Sequence, residues 1–96
     1  MGASSFIAVA NGPTAQAAFA TAVSDARRAL RATSYTGSVA EKRSFILLPT
    51  PDDIDPSEYA ARLLESDDPR VCNKWGPAAC LRVGPDTFLF FGWSPT

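Results

Sequence analysis

Histidine is absent from this sequence of 96 residues, and cysteine is limited to Cys72 and Cys80. Without imidazole the commonest general base is missing, and the Ser-His-Asp and Cys-His arrangements of nucleophilic catalysis cannot be assembled. Two thiols alone also fall short of the four ligands of a structural zinc site, so no metal is expected, and nothing in the chain points to a cofactor. Phosphate cradles are missing too: Gly37 and Gly76 stand alone, outside any glycine-rich nucleotide pattern. Apolar runs such as Phe88–Phe91 are far too short to span a membrane. The opening residues Met1–Phe6 carry no basic region ahead of their apolar stretch, which argues against a secretory signal. Phe6 also stands where a myristoylation pattern needs Ser or Thr. The expected location is therefore the cytoplasm. In that compartment Cys72 and Cys80 are expected to be reduced.

What remains is a chain that is 46% hydrophobic and 20% charged, a composition that folds rather than stays disordered. Its length suits one domain, 1–96, with a thin core. Ser5–Ala10 reads as a short buried strand, broken by Asn11-Gly12-Pro13. From Thr14 to Ala32, Ala15, Ala18, Phe19, Ala22, Val23, Ala26 and Leu30 recur at the spacing of one helical face. That face is mostly alanine and permits close approach to a sheet. Tyr35–Ala40 reads as a loop or short strand. Ser44–Leu48 is an unbroken apolar run, which predicts a central strand. Asp55 as cap, Pro56 at the first helical position and Glu58 three residues after the cap announce a second helix, with Tyr59, Ala60, Leu63 and Leu64 as its buried stripe. Asp67-Asp68-Pro69 stops it. Ala78–Val83 and Thr87–Trp93 flank Gly84-Pro85-Asp86 as a hairpin.

The order is strand, helix, strand or loop, strand, helix, strand, strand. The simplest packing is a two-layer α+β domain with both helices on one face of a mainly antiparallel sheet of about four strands. The strand Thr87–Trp93 is apolar at consecutive positions, hence on both faces. Either it is covered on both sides or one aromatic face is an interface, which would make Thr87–Trp93 a homo-oligomer contact.

Charge is unevenly distributed. Residues 51–68 hold seven acids, Asp52, Asp53, Asp55, Glu58, Glu65, Asp67 and Asp68, against Arg62 alone. Residues 26–43 hold Arg27, Arg28, Arg31, Lys42 and Arg43 against Glu41. The acidic stretch could dock on a basic partner, or could consist of helix caps, solvated loops and pairing with the basic segment. The arginine cluster is too small and too mixed with acids for a nucleic-acid face. Tyr35, Ser38 and Lys42 match no catalytic signature, because a Ser-x-x-Lys motif would need lysine where Glu41 stands.

The densest cluster of unusual residue types is Arg70–Pro77. Trp75 there could anchor a protein interface, with Lys74 beside it, or could fold back over the hairpin. As an alternative, Trp75 could stack a ring while Arg70, Asn73 and Lys74 hold polar groups of a small molecule or nucleotide. Cys72, near Arg70 and Lys74, could be a reactive thiol or an inert one.

Tyr35–Lys42, Lys74-Trp75-Gly76-Pro77-Ala78-Ala79-Cys80 and Phe88–Trp93 together resemble a group of small uncharacterised proteins of bacteria and their phages. In that group a Tyr-x-Gly-x-Ala-x-Lys segment precedes Lys-Trp-Gly-Pro-Ala and an aromatic Phe-Gly-Trp ending. The resemblance covers about the last two-thirds of the chain and brings no activity with it. It implies a context in which small non-enzymatic domains inhibit host systems, defence nucleases included. The expectation is an interaction protein that binds a host protein or complex through Asp52, Asp53, Glu65, Asp67, Asp68, Lys74 and Trp75. The small-molecule module stays open beside it, as does an enzyme using Cys72 or Lys42.

Overall fold

The computed structural model of the chain describes residues 3–33, 39, 42–66, 68, 71 and 75–95, with the side chains of 3, 29–33 and 95 outside the description. The elements are β1 (Ala3–Asn11), α1 (Ala15–Thr33), β2 (Phe45–Leu47), α2 (Pro56–Glu65), β3 (Ala78–Arg82) and β4 (Thr87–Pro95). The class expected from the sequence is the one found: α+β, with two helices and a four-stranded, mostly antiparallel sheet. The strand order is β1-β4-β3-β2. β4 runs antiparallel to both β1 and β3, and β2 pairs parallel to β3.

Sequence chemistry accounts for where the helices begin. Thr14 accepts a hydrogen bond from the Ala17 amide at its Oγ1 (3.1 Å), which satisfies one of the orphan donors of the first turn of α1. Asp55 caps α2 in extended conformation, its Oδ1 accepting from the Ser57 amide at 3.0 Å, with Pro56 behind it. Glu58 does not reach back to that cap; its carboxylate takes the Arg62 guanidinium at 2.9 Å, one turn on. α2 ends at Ser66, whose amide donates to the Arg62 carbonyl and whose hydroxyl donates to that of Leu63. Asp67 and Pro69 of the expected stop lie outside the described residues.

Strand alternation divides the core in two. Phe6, Ala10, Ala78, Cys80, Phe88 and Phe90 pack with Ala18, Phe19 and Ala22 of α1. Ala79, Leu81, Leu89 and Phe91, the neighbours of opposite parity, pack with Ala60, Leu63 and Leu64 of α2. Since adjacent strand residues point to opposite sides, α1 and α2 lie on opposite faces of the sheet, where the sequence reading had both on one. Connection handedness gives the reason. β1, β2 and β3 all point the same way, α1 carries the chain across the sheet from β1 to β2, and α2 carries it back to β3. Two crossovers of the same hand that travel in opposite directions must use opposite faces.

On the first face, Phe19, Phe45 and Phe90 form an aromatic triangle that joins α1, β2 and β4, with ring centroids 5.1, 5.4 and 5.7 Å apart. Aromatic pairs at such distances contribute about 0.5–1.5 kcal/mol each beyond their burial. Ala18, fully buried, lets α1 settle close to the sheet.

Two strand expectations need correcting. β2 is an edge strand of three residues, not a central one, and Leu47 is exposed. Its apolar run arises because the first face takes Phe45 while the second takes Ile46 and Leu48. β1 is likewise an edge, with Ile7 and Val9 exposed although Phe6 and Ala10 are buried. Of the two readings open for Thr87–Trp93, coverage is the one found: Phe88, Leu89, Phe90 and Phe91 are buried from both sides by the two helices.

The hairpin between β3 and β4 closes through the Val83 amide on the Thr87 carbonyl, and Arg82 binds the carbonyls of Gly84 and Pro85. Gly12 joins β1 to this tip, its amide donating to the Asp86 carbonyl at 2.8 Å. A Cβ on Gly12 would sit 2.7 Å from the Ala18 amide nitrogen, inside the backbone of α1, whereas one on Gly84 would make ordinary contact with Thr87 at 3.6 Å. Gly12→Ala is expected to cost about 1–3 kcal/mol and Gly84→Ala less than that, as measured by urea denaturation. Equal costs would contradict the close approach.

Candidate partner-binding site around Trp75

Trp75 is 76% exposed, so it does not fold back over the hairpin. Buried residues nonetheless stand on both sides of it in the chain. Upstream, Val71 is 2% exposed and belongs to the second-face core, its amide bonded to the Asp68 carbonyl at 2.9 Å. Downstream, the Gly76 carbonyl accepts a hydrogen bond from Lys42 Nζ at 2.8 Å, and the Ala78 amide donates to the Ser44 carbonyl at 3.0 Å as β3 begins. Trp75 thus stands exposed next to a carbonyl held by the buried Lys42.

Lys42 is the residue whose role the sequence did not reveal. It is buried, and its amide donates to the carbonyl of Val39, itself a core residue. Burial lowers the Lys42 pKa from the ordinary lysine value, because taking the ammonium out of water penalises the charged form. No local pattern distinguishes it from the solvated Arg43 that follows; the long-range contact to Gly76, 34 residues away, does so.

The acidic candidates separate. α2 runs back along the sheet between parallel strands, so its two ends, about 15 Å apart for ten residues, lie toward opposite ends of β3. Asp52 and Asp53, both exposed, lie at the end where β2 finishes, together with the hairpin tip. Glu65, exposed, and Asp68, half-buried, lie at the end where β3 begins, the end that carries Trp75. Asp55 caps α2 and Glu58 pairs with Arg62. The described acids of the run are therefore spread along the whole length of α2. Asp67, Arg70, Cys72, Asn73 and Lys74, together with Tyr35 and Ser38, lie outside the described residues, so of the ligand-binding alternative only Trp75 is placed.

Cys80 is a free, buried thiol. Burial pushes its pKa up from 9.0 to about 11, which keeps it neutral and unreactive near neutrality. Among the described residues, no helix is long and apolar enough to cross a membrane.

Compared with protein-family models, with curated proteins and with solved structures, the chain matches none of them.

The Lys42 tether has a pH signature. Its folded pKa lies below its unfolded one, so over the window between them the unfolded chain holds the proton that the folded chain has released. Stability should therefore rise with pH across that window, up to the ordinary lysine value of 10.5. Urea denaturation of the parent and of Lys42→Met at increasing pH should show the parent gaining relative to the variant. A parent that loses relative stability over that range would contradict the buried ammonium.

Proposed function

We propose that this chain is a small non-enzymatic interaction protein that binds a protein partner through the end of the domain bearing Trp75. One observation carries this reading: a tryptophan 76% exposed on a turn tethered at Gly76 by the buried Lys42. Exposing an indole in water is unfavourable, and holding it in place removes the ordering cost that a partner would otherwise meet. Tryptophan is also among the residues most often dominant at protein interfaces. Glu65 and Asp68 flank the same end and add negative charge to it. The partner is a host protein or complex, and the activity is inhibition of a host defence system by a phage or mobile element. That context is supported by the resemblance carried by Lys74-Trp75-Gly76-Pro77-Ala78 and its companion segments.

The test is affinity capture from bacterial lysate, followed by titration of the purified captured protein. Trp75→Ala should weaken binding at least about 30-fold, the loss expected of a dominant interface tryptophan. Asp52→Lys with Asp53→Lys, at the opposite end, should leave it within a few-fold. Undiminished binding by a folded Trp75→Ala protein would contradict the reading.

A further inference from the structure

The two edges of the sheet differ in a way that bears on assembly. An edge strand presents unpaired backbone donors and acceptors, and folded proteins ordinarily protect it by shortness, charge, proline, a bulge or a covering segment. β2, at one edge, is protected by its length of three residues. β1, at the other edge, is nine residues long, about 30 Å of extended backbone. It contains no charged residue and no proline. Its register with β4 runs one-to-one from Ala3↔Pro95 to Asn11↔Thr87 without a bulge. Among the described residues, no backbone hydrogen bond joins β1 to anything on its outer side.

The side chains point the same way. On the first face Phe6 and Ala10 are buried under α1. On the second face Ser5, Ile7, Val9 and Asn11 are exposed, Ile7 at 50% and Val9 at 61%, because the ten-residue α2 packs over β3 and β4. The outer strand therefore combines an unprotected backbone edge with a continuing apolar strip.

The geometry points to a homodimer in which β1 pairs antiparallel with β1 of a second copy. The two sheets become one of eight strands about a two-fold axis through Ile7. A second copy suits this edge for three reasons. It supplies a strand of equal length. It brings no like charges together, since the strand has none. A two-fold axis perpendicular to the sheet also keeps each face continuous. Ile7 then meets Ile7 of the second copy and Ser5 meets its Val9, so both apolar strips fuse between the two α2 helices. This pairing goes beyond the Trp75 reading and uses a different surface.

Sedimentation velocity of the full chain tests it. The expected species has twice the 10.2 kDa of the chain, and Ile7→Lys with Val9→Lys should return it to a monomer with unchanged circular dichroism, while Trp75→Ala stays dimeric. A parent that is monomeric at the concentration of an NMR sample overturns the proposal, as does a folded double variant that remains dimeric. If the double variant does not fold, hydrogen exchange on the parent decides. Amides of β1 should gain protection between a low and a high protein concentration while those of β2 do not. Protection in β1 that is independent of concentration overturns the pairing.

Discussion

Burial of β4 on both of its faces is the constraint on which the rest of this structure depends. Phe88, Leu89, Phe90 and Phe91 are consecutive, so alternate members point to opposite sides, and all are 5% exposed or less. Burying a side chain of this size stabilises by about 1.5–3 kcal/mol relative to exposure. A small domain cannot leave two such faces in water. The chain meets the demand by placing β4 between β1 and β3 and by sending one helix to each face. The mixed topology follows: two crossovers of one hand, travelling in opposite directions, are the route that delivers helices to both sides.

Two helices of unequal length cannot cover two faces equally, and the uncovered places are where this domain meets its surroundings. α1, with 19 residues, serves the first face, where Phe6 and Ala10 at the outer strand are buried. α2, with ten, serves β3 and β4 and leaves Ile7 and Val9 of β1 in solvent. At the end where β3 begins, Val71 is buried and Gly76 is held by the hydrogen bond from Lys42, with Trp75 left outside. The two exposed apolar features thus have different origins. One is sheet surface beyond the reach of a short helix, and the other is a single indole on a tethered turn.

Much of this was legible in the chain itself. Capping chemistry located α2 to within a residue, and the 3-and-4 spacing of Ala18, Phe19, Ala22 and Val23 fixed the buried side of α1. Gly84-Pro85-Asp86 located the hairpin. The placement of elements relative to each other was less legible. An unbroken apolar run records that both faces of a strand are covered and does not distinguish an edge from a centre, so Phe45–Leu47 read as central and is an edge. The same run in Thr87–Trp93 left two readings open, and coverage on both sides is the one found. At the candidate site, Trp75 stood out by residue type, but its tether did not, because Lys42 acquires its role through a contact 34 residues away. The spread of the acidic run was hidden for a related reason: a helix carries sequence neighbours apart along the sheet.

The central claim, one helix on each face of β4, is open to a single direct measurement. In a nuclear Overhauser spectrum of protein labelled at phenylalanine rings and leucine methyls, the Phe90 ring should show contacts to Phe19 and Phe45, and the Phe91 ring should show contacts to the methyls of Leu63 and Leu64. Contacts from Phe90 and Phe91 to the same helix, or from Phe19 to Leu63, would place both helices on one face and contradict the account.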